Sequence, residues 1–346
     1  MAVMKLGLQL GYWGAGPPAD AGDLVREAER AGFDAVFAAE SWGSDAFTPL
    51  AWWGAATSRV RLGTSVAQLS ARTPTACAMH ALTLDHLSGG RAILGLGVSG
   101  PQVVEGWYGA PFAKPLARTR EYVSIIRQVL ARAAPVTNAG EHYPLPYRGS
   151  TLGKPLRPIV HPLRADLPIW LGAEGPRNVA LAGEIADGWL AIYYSPRLAA
   201  EYNAWLATGF DRRGGRPEGF EMAASAQVVI TDDPAAELER LRPVIALYAG
   251  GMGAATMNFH AEVFARMGYG AVVEEIGRLF RAGRKEDAAR AVPDELIGDI
   301  AIIGSKTEVR DRIRAWERAG VTMLLVSCRG PEEVRVLADA VKHVLD

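Results

Sequence analysis

Apolar runs of strand length alternate with segments of helical period along the whole chain. The runs over 6–12, 35–40, 60–68, 92–98, 168–173, 189–194, 222–231 and 322–327 read as strands. Helical periods fall between or after them, over 20–31, 45–57, 73–87, 116–131, 176–186, 199–207 and 332–345. In the first of these Leu24, Val25 and Ala28 share one face, and Pro74 occupies the favoured first turn of the third. Ser305 and Glu308 have capping-box spacing ahead of a helix with Val309, Ile313 and Trp316 at core spacing.

Two stretches break the alternation. Residues 132–167 hold six prolines and little helical period, an insertion with room for a short hairpin. Residues 234–300 are mostly helical without a convincing strand, and Gly250, Gly251 and Gly253 there suggest a mobile joint. Strands alternating with helices imply right-handed crossovers and a parallel sheet. Eight such units fit a closed (β/α)8 TIM barrel, one domain over 1–346, better than an open sheet.

In that fold the loops following the strands build the catalytic face. Trp13 follows the first strand, and Glu40, Ser41 and Trp42 follow the second. Ser65, Val66 and Gln68 end the third, and Val98, Ser99 and Gly100 end the fourth. The fifth runs into Ala173, Glu174, Gly175, Pro176, Arg177 and Asn178, and the sixth into Tyr193 and Tyr194. A helix opening at Pro176 offers free backbone donors, with Arg177 and Asn178 beside them, to a phosphate. The plain alternative is a tight turn with a solvated arginine. Glu40 has two readings: exchanging a proton or bonding a cofactor ring, or pairing with an arginine such as Arg72. Trp13, Trp42, Tyr193 and Tyr194 are candidates to wall a pocket for a flat ligand, against their ordinary use as packing. His80 and His86 are off the i,i+4 spacing of a helical metal pair, and no nucleophile elbow or P-loop is present.

Gly95, Gly97 and Gly100 spell G-x-G-x-x-G, which in a dinucleotide-binding turn opens directly into a helix. Here the motif lies on the fourth strand and Pro101 follows it. Gly106, Gly109, Pro111 and Pro115 then defer the next clear helix to about residue 116, and Glu121 lies inside that helix. The glycines are expected instead to let a flat ligand approach the backbone, with Ser99 as a polar contact.

Composition narrows the partners. A net charge of −1 gives no electrostatic case for nucleic acid or an anionic membrane. The first residues lack a signal peptide's basic start and long apolar middle. No uncharged run nears the roughly 20 residues of a membrane span. Two distant cysteines, Cys77 and Cys328, fit a reducing compartment, so a cytoplasmic chain is expected.

Gly63-Thr-Ser-Val66, Gly95-Leu-Gly-Val-Ser-Gly100 and Ala173-Glu-Gly-Pro176, in that order, resemble the luciferase-like monooxygenase superfamily. The resemblance is closest to its branch dependent on the deazaflavin coenzyme F420. The stretches from Glu40 to Trp52 and from Ser99 to Trp107 look like an actinobacterial subgroup. It covers residues 4–200 and, more loosely, the C-terminal helices. It implies a homodimeric (β/α)8 barrel with an insertion, carrying F420, or alternatively FMN, at the strand ends.

The family's strand-three bulge, with a cis non-prolyl peptide, would fall at Ser65–Val66 and back the ring system near Gln68. Val98, Ser99 and Gly100 match its cofactor-tail loop, Ala173 to Asn178 its phosphate loop, and Glu40 an acid near the ring. Several branches carry histidine beside that acid, where this chain has Ser41 and Trp42. That departure speaks against a sugar-phosphate or alcohol dehydrogenase of the usual kind and for reduction of an activated double bond or imine. The implied activity is hydride transfer between F420 and a small organic substrate. An FMN-dependent monooxygenase served by a flavin reductase is the alternative, and a non-catalytic flavin-binding barrel a third reading.

Overall fold

The strands in chain order are β1 (Lys5–Gln9), β2 (Ala35–Ala38), β3 (Arg61–Thr64), β4 (Ala67–Gln68) and β5 (Ala92–Gly97). They continue as β6 (Ile169–Gly172), β7 (Gly188–Ala191), β8 (Glu221–Ile230), β9 (Ala301–Gly304) and β10 (Met323–Val326). The computed structural model describes residues 4–253 and 258–342. Every pairing between these strands is parallel, and β10 pairs with both β1 and β8, which closes the ring. With β3 and β4 as two halves of one strand, eight strands form the barrel, as the alternation predicts.

Alternate side chains fill its interior. Phe37, Ile93, Trp170, Leu190, Ala223, Met323 and Leu325 make one buried cluster, with Val66 packed against it. At the N-terminal end Glu221 accepts from Thr322 Oγ1 at 2.5 Å and pairs with Lys5, and Arg61 lies 3.7 Å away. These charges gather at the bottom of the barrel, around the first residues of β1, β3 and β8. The outward residues of the strands pack under the helices in a second, larger core. All six residues of β5 are buried, as expected of a parallel strand covered on both faces.

Some expectations hold and others are corrected. The third strand is interrupted at Ser65–Val66, where the peptide is cis, at the position the resemblance implies. A short helix, Pro101–Gly106, opens directly after Gly100, so the chain does not wait until 116 to become helical. Residues 301–304 form β9, which lies outside the barrel ring and pairs with the C-terminal half of β8. The ten-residue β8 thus runs past the rim and carries the helical excursion on its extension. That excursion has its own core, including Ile245, Phe264, Ile276 and Ile297. Gly250 and Gly251 pack against Phe280, 2.8 and 2.4 Å from where their Cβ atoms would lie, so close approach, not a joint, accounts for them. In the insertion, a single antiparallel bridge joins Asn138 and Leu145. The capping box is formed by Ser305 and Glu308. The last helix, Pro331–Lys342, is described to 342, and the expected extent to 345 lies outside the described residues.

Candidate active site

Glu40 follows β2 with its side chain only 2% exposed. Its Oε2 accepts from the Gln68 amide at 2.8 Å and Arg72 Nη1 at 3.0 Å. Its Oε1 accepts from the Ala46 amide at 3.3 Å and from Arg72 Nη2. Of the two readings, the Arg72 pair is therefore present. Burial works against the Arg72 charge, but the Glu40 carboxylate more than offsets it and holds the guanidinium above its ordinary value. With four donors on two oxygens, this carboxylate orients its surroundings; it has no free lone pair aimed at a ligand. Gln68 is locked to the same group, its Nε2 donating to the Glu40 carbonyl at 3.1 Å. The Gln68 Oε1 is buried and has no partner.

The glycine run has a packing reason that spacing could not show. A Cβ at Gly95 would lie 1.9 Å from the Thr64 carbonyl oxygen, and one at Gly97 would lie 2.5 Å from Val66. Thr64 Oγ1 also donates to the Gly95 carbonyl at 2.6 Å and accepts its amide at 2.9 Å. Gly95 and Gly97 therefore admit the chain's own β3–β4 bulge, a packing reason for the two glycines beside the expected approach of a ligand. Ser99 takes a left-handed φ of 60°, and the Gly100 carbonyl accepts the first amides of the helix behind it.

The β6 loop lies nearby. Gly97, Val98, Gly172, Ala173 and Asn178 line one recess. The helix Pro176–Ile185 opens with Gly175 extended and no side-chain cap, so its first amides are available, and Arg177 beside them is exposed. Glu174 looks elsewhere. His260 Nδ1 lies 2.8 Å from its Oε1, within ion-pair range but off the hydrogen-bond line. Arg266 Nη2 donates to the Glu174 carbonyl at 2.8 Å.

Tyr193, at a left-handed φ of 54°, meets Tyr248, His260 and Phe264 with ring centroids 5.4, 5.7 and 4.8 Å apart. Burial holds the Tyr193 and Tyr248 phenols above their ordinary range, so both are neutral donors. Tyr194 is a correction: it points the opposite way, into the core against Trp189, Tyr202 and Trp316, and its hydroxyl bonds the Ala319 carbonyl. Consecutive residues leaving a strand face opposite sides, so only one of the pair reaches the rim. Trp42 is half exposed and tilts against Tyr12 at 6.5 Å; Trp13 is half-buried, its amide donating to Ser44 Oγ at 3.1 Å. His80 is exposed on its helix, with Nδ1 on the Ala76 carbonyl at 2.7 Å.

Sequence reading missed Tyr248, His260 and Arg266. They lie more than 70 residues from Glu174 in the segment of weakest pattern, and only tertiary packing brings them to the strand ends. Among the described residues, three of the four enclosed side-chain polar atoms without partners belong to Glu174, His260 and Arg266. The fourth is Gln68 Oε1. The strand ends thus bring an uncapped helix start and these unpartnered buried polar atoms to one end of the barrel, a donor set that suits a polar-edged cofactor with an anionic tail.

The family model for luciferase-like monooxygenases matches residues 4–323. The chain is 66% identical, over 97% of its length and 99% of the relative's, to a provisionally named coenzyme F420-dependent oxidoreductase of Mycobacterium tuberculosis. It is 28% identical to the 5,10-methylenetetrahydromethanopterin reductase of Archaeoglobus fulgidus over 93% of each chain. The solved F420-dependent tetrahydromethanopterin reductase of Methanopyrus kandleri superposes with a TM-score of 0.82 over 99% of each chain, at 24% identity. The chain belongs to the luciferase-like monooxygenase family, in the branch of its F420-dependent oxidoreductases.

Proposed function

We propose that this enzyme moves hydride between coenzyme F420 and a small organic substrate. The observation that carries the reading is the 66% identity, across nearly the whole chain, to a relative named for that cofactor. The rim residues fit it: Ser65, Val66 and Gln68 back the ring, Val98 to Gly100 follow the tail, and Ala173 to Asn178 take the phosphate. The deazaflavin supplies the hydride chemistry when bound. Glu40 works as a positioning group, holding the Gln68 amide and Arg72 so that the bulge keeps its place. Trp42 and Tyr193 flank the substrate side.

The barrel with its insertion and excursion acts as one domain, and two copies pair. Trp52, Met79 and Leu87 are 80, 64 and 72% exposed on neighbouring helices, and Ile159 on the insertion is 93% exposed, an apolar face a second copy would cover. Cys77 and Cys328 are free thiols, which supports a cytoplasmic setting. No described helix is long and apolar enough to cross a membrane.

Fluorescence titration of the purified chain with F420 and with FMN tests the cofactor. Saturable binding of F420 with weak or no binding of FMN is expected, followed by oxidation of reduced F420 by some members of a panel of enones, imines and ketones. Tight FMN binding without F420 binding overturns the reading. Light scattering at micromolar concentration reads the pairing, and a monomer there sinks it.

A further inference from the structure

We propose that His260, brought to the rim by the helical excursion and paired with Glu174, is the proton-exchanging group of the site. The inference rests on the hydride-transfer reading above. His260 lies in the first turn of the helix Phe259–Phe264, whose start is fixed by Asn258. The Asn258 side chain accepts the Ala261 amide at 3.1 Å and donates to the Tyr248 and Ala249 carbonyls at 2.9 and 3.0 Å. That clamp sets the imidazole between the edges of Tyr193 and Tyr248, 5.7 and 4.9 Å away by ring centroid. Nδ1 is closed off beside Glu174, while the side chain as a whole is 22% exposed, so the open edge of the ring is the one carrying Nε2.

The neighbouring groups leave this role to His260. Glu40 has four donors on its two oxygens, and the Tyr193 and Tyr248 phenols keep their protons. The other described histidines lie away from the strand ends: the rings of His80 and His86, on one helix, bond the Ala76 and His161 carbonyls, and His142 and His161 belong to the insertion. The charged and titratable groups around His260 are Glu174 after β6, Tyr193 after β7, Tyr248 with Tyr12 near it, and Glu262 and Arg266 along its own segment.

Reducing a carbonyl or imine requires a hydride at carbon, which the reduced deazaflavin provides, and a proton at the heteroatom. As the C=O or C=N π pair moves onto oxygen or nitrogen, imidazolium Nε2 gives that atom its proton. The substrate gains two electrons, the cofactor loses them, and the neutral imidazole is reprotonated from solvent. Glu174 compensates the imidazolium charge and acts as a positioning residue. The substrate class is therefore a carbonyl or imine compound, its flat apolar part against Tyr193, Tyr12 and Trp42.

The test combines His260→Gln and Glu174→Gln with F420 titration, turnover against pH, and imidazole nitrogen NMR of the cofactor-free chain. For His260→Gln, F420 affinity within about 2-fold of wild type is expected, with a loss of about 100-fold in kcat and removal of one limb of its pH profile. Glu174→Gln should lose about 10-fold in kcat and shift the His260 nitrogen resonances without cofactor present, which a merely structural carboxylate elsewhere in the loop would not do. If His260→Gln binds F420 and keeps the wild-type rate and pH profile, the proposal is overturned. Failure of the wild-type chain to bind F420 overturns instead the reading beneath it.

Discussion

At the end of β2 the Glu40 carboxylate meets four donors, whereas at the end of β6 the Glu174 carboxylate keeps one buried oxygen with none. The first belongs to a region assembled from residues 38–100, where backbone amides, the Arg72 ion pair and the β3–β4 bulge interlock. The second is completed from about 90 residues away by His260 and Arg266, through charge proximity, aromatic edges and one backbone contact. Saturated polar groups rigidify, and unsaturated ones await a partner. The β2–β5 side is thus the preformed seat, with Gln68 Oε1 its one open acceptor among the described residues, and the β6–β7 side is where a ligand completes most of the bonding.

The largest effect should come from unlocking the seat. Arg72→Met leaves Glu40 buried without its countercharge, and such broken pairs cost about 3–5 kcal/mol. Urea unfolding should show that loss, with F420 affinity falling in parallel. A loss under about 1 kcal/mol would mean that the amides of Ala46 and Gln68 suffice, and that the two carboxylates differ less than their surroundings imply.

On the other side, Phe264→Ala removes a fully buried ring that joins Tyr193 to the excursion core. About 3 kcal/mol is expected, falling on the excursion and not on the barrel. Hydrogen exchange checks this: amides of the helix Gly270–Arg281 should lose protection while those of β5 keep theirs. Equal loss in both would show the excursion and barrel to open as one unit.

The same division explains what could be read from the chain. Barrel strands declare themselves because both faces are buried, as in the run Ala92 to Gly97, and β6's loop is marked by Gly175 and Pro176. Glu40 was legible as a strand-end carboxylate with two readings, since Arg72 lies only 32 residues on. The meaning of Gly95 was not legible, because the atom that needs its missing side chain is a carbonyl of another strand. β9 escaped because four residues placed just before a capping box look like the end of the preceding helix. His260 escaped because no local spacing links a helix's first turn to the loop after β6.

The smallest effect tests whether the seat is also held from below. Glu29, on the helix Ala21–Ala31, accepts the amides of Ser58, Arg59 and Val60 at 2.8 to 3.1 Å, just ahead of β3. Burial acts to raise its pKa, but those amides and the Ser58 hydroxyl outweigh burial and hold it at about 2, against an ordinary 4.5. Because the folded-state value is the lower one, the stabilisation is full above about pH 4.5 and is lost as pH falls towards 2. The group is largely solvated, so Glu29→Gln should cost only about 1 kcal/mol at pH 7. The gap between the two proteins should narrow through the acid range, measured by urea unfolding at a series of pH values. A gap constant from pH 7 to about 3 would assign the contribution to hydrogen-bond geometry that glutamine fails to reproduce, and not to the carboxylate's charge.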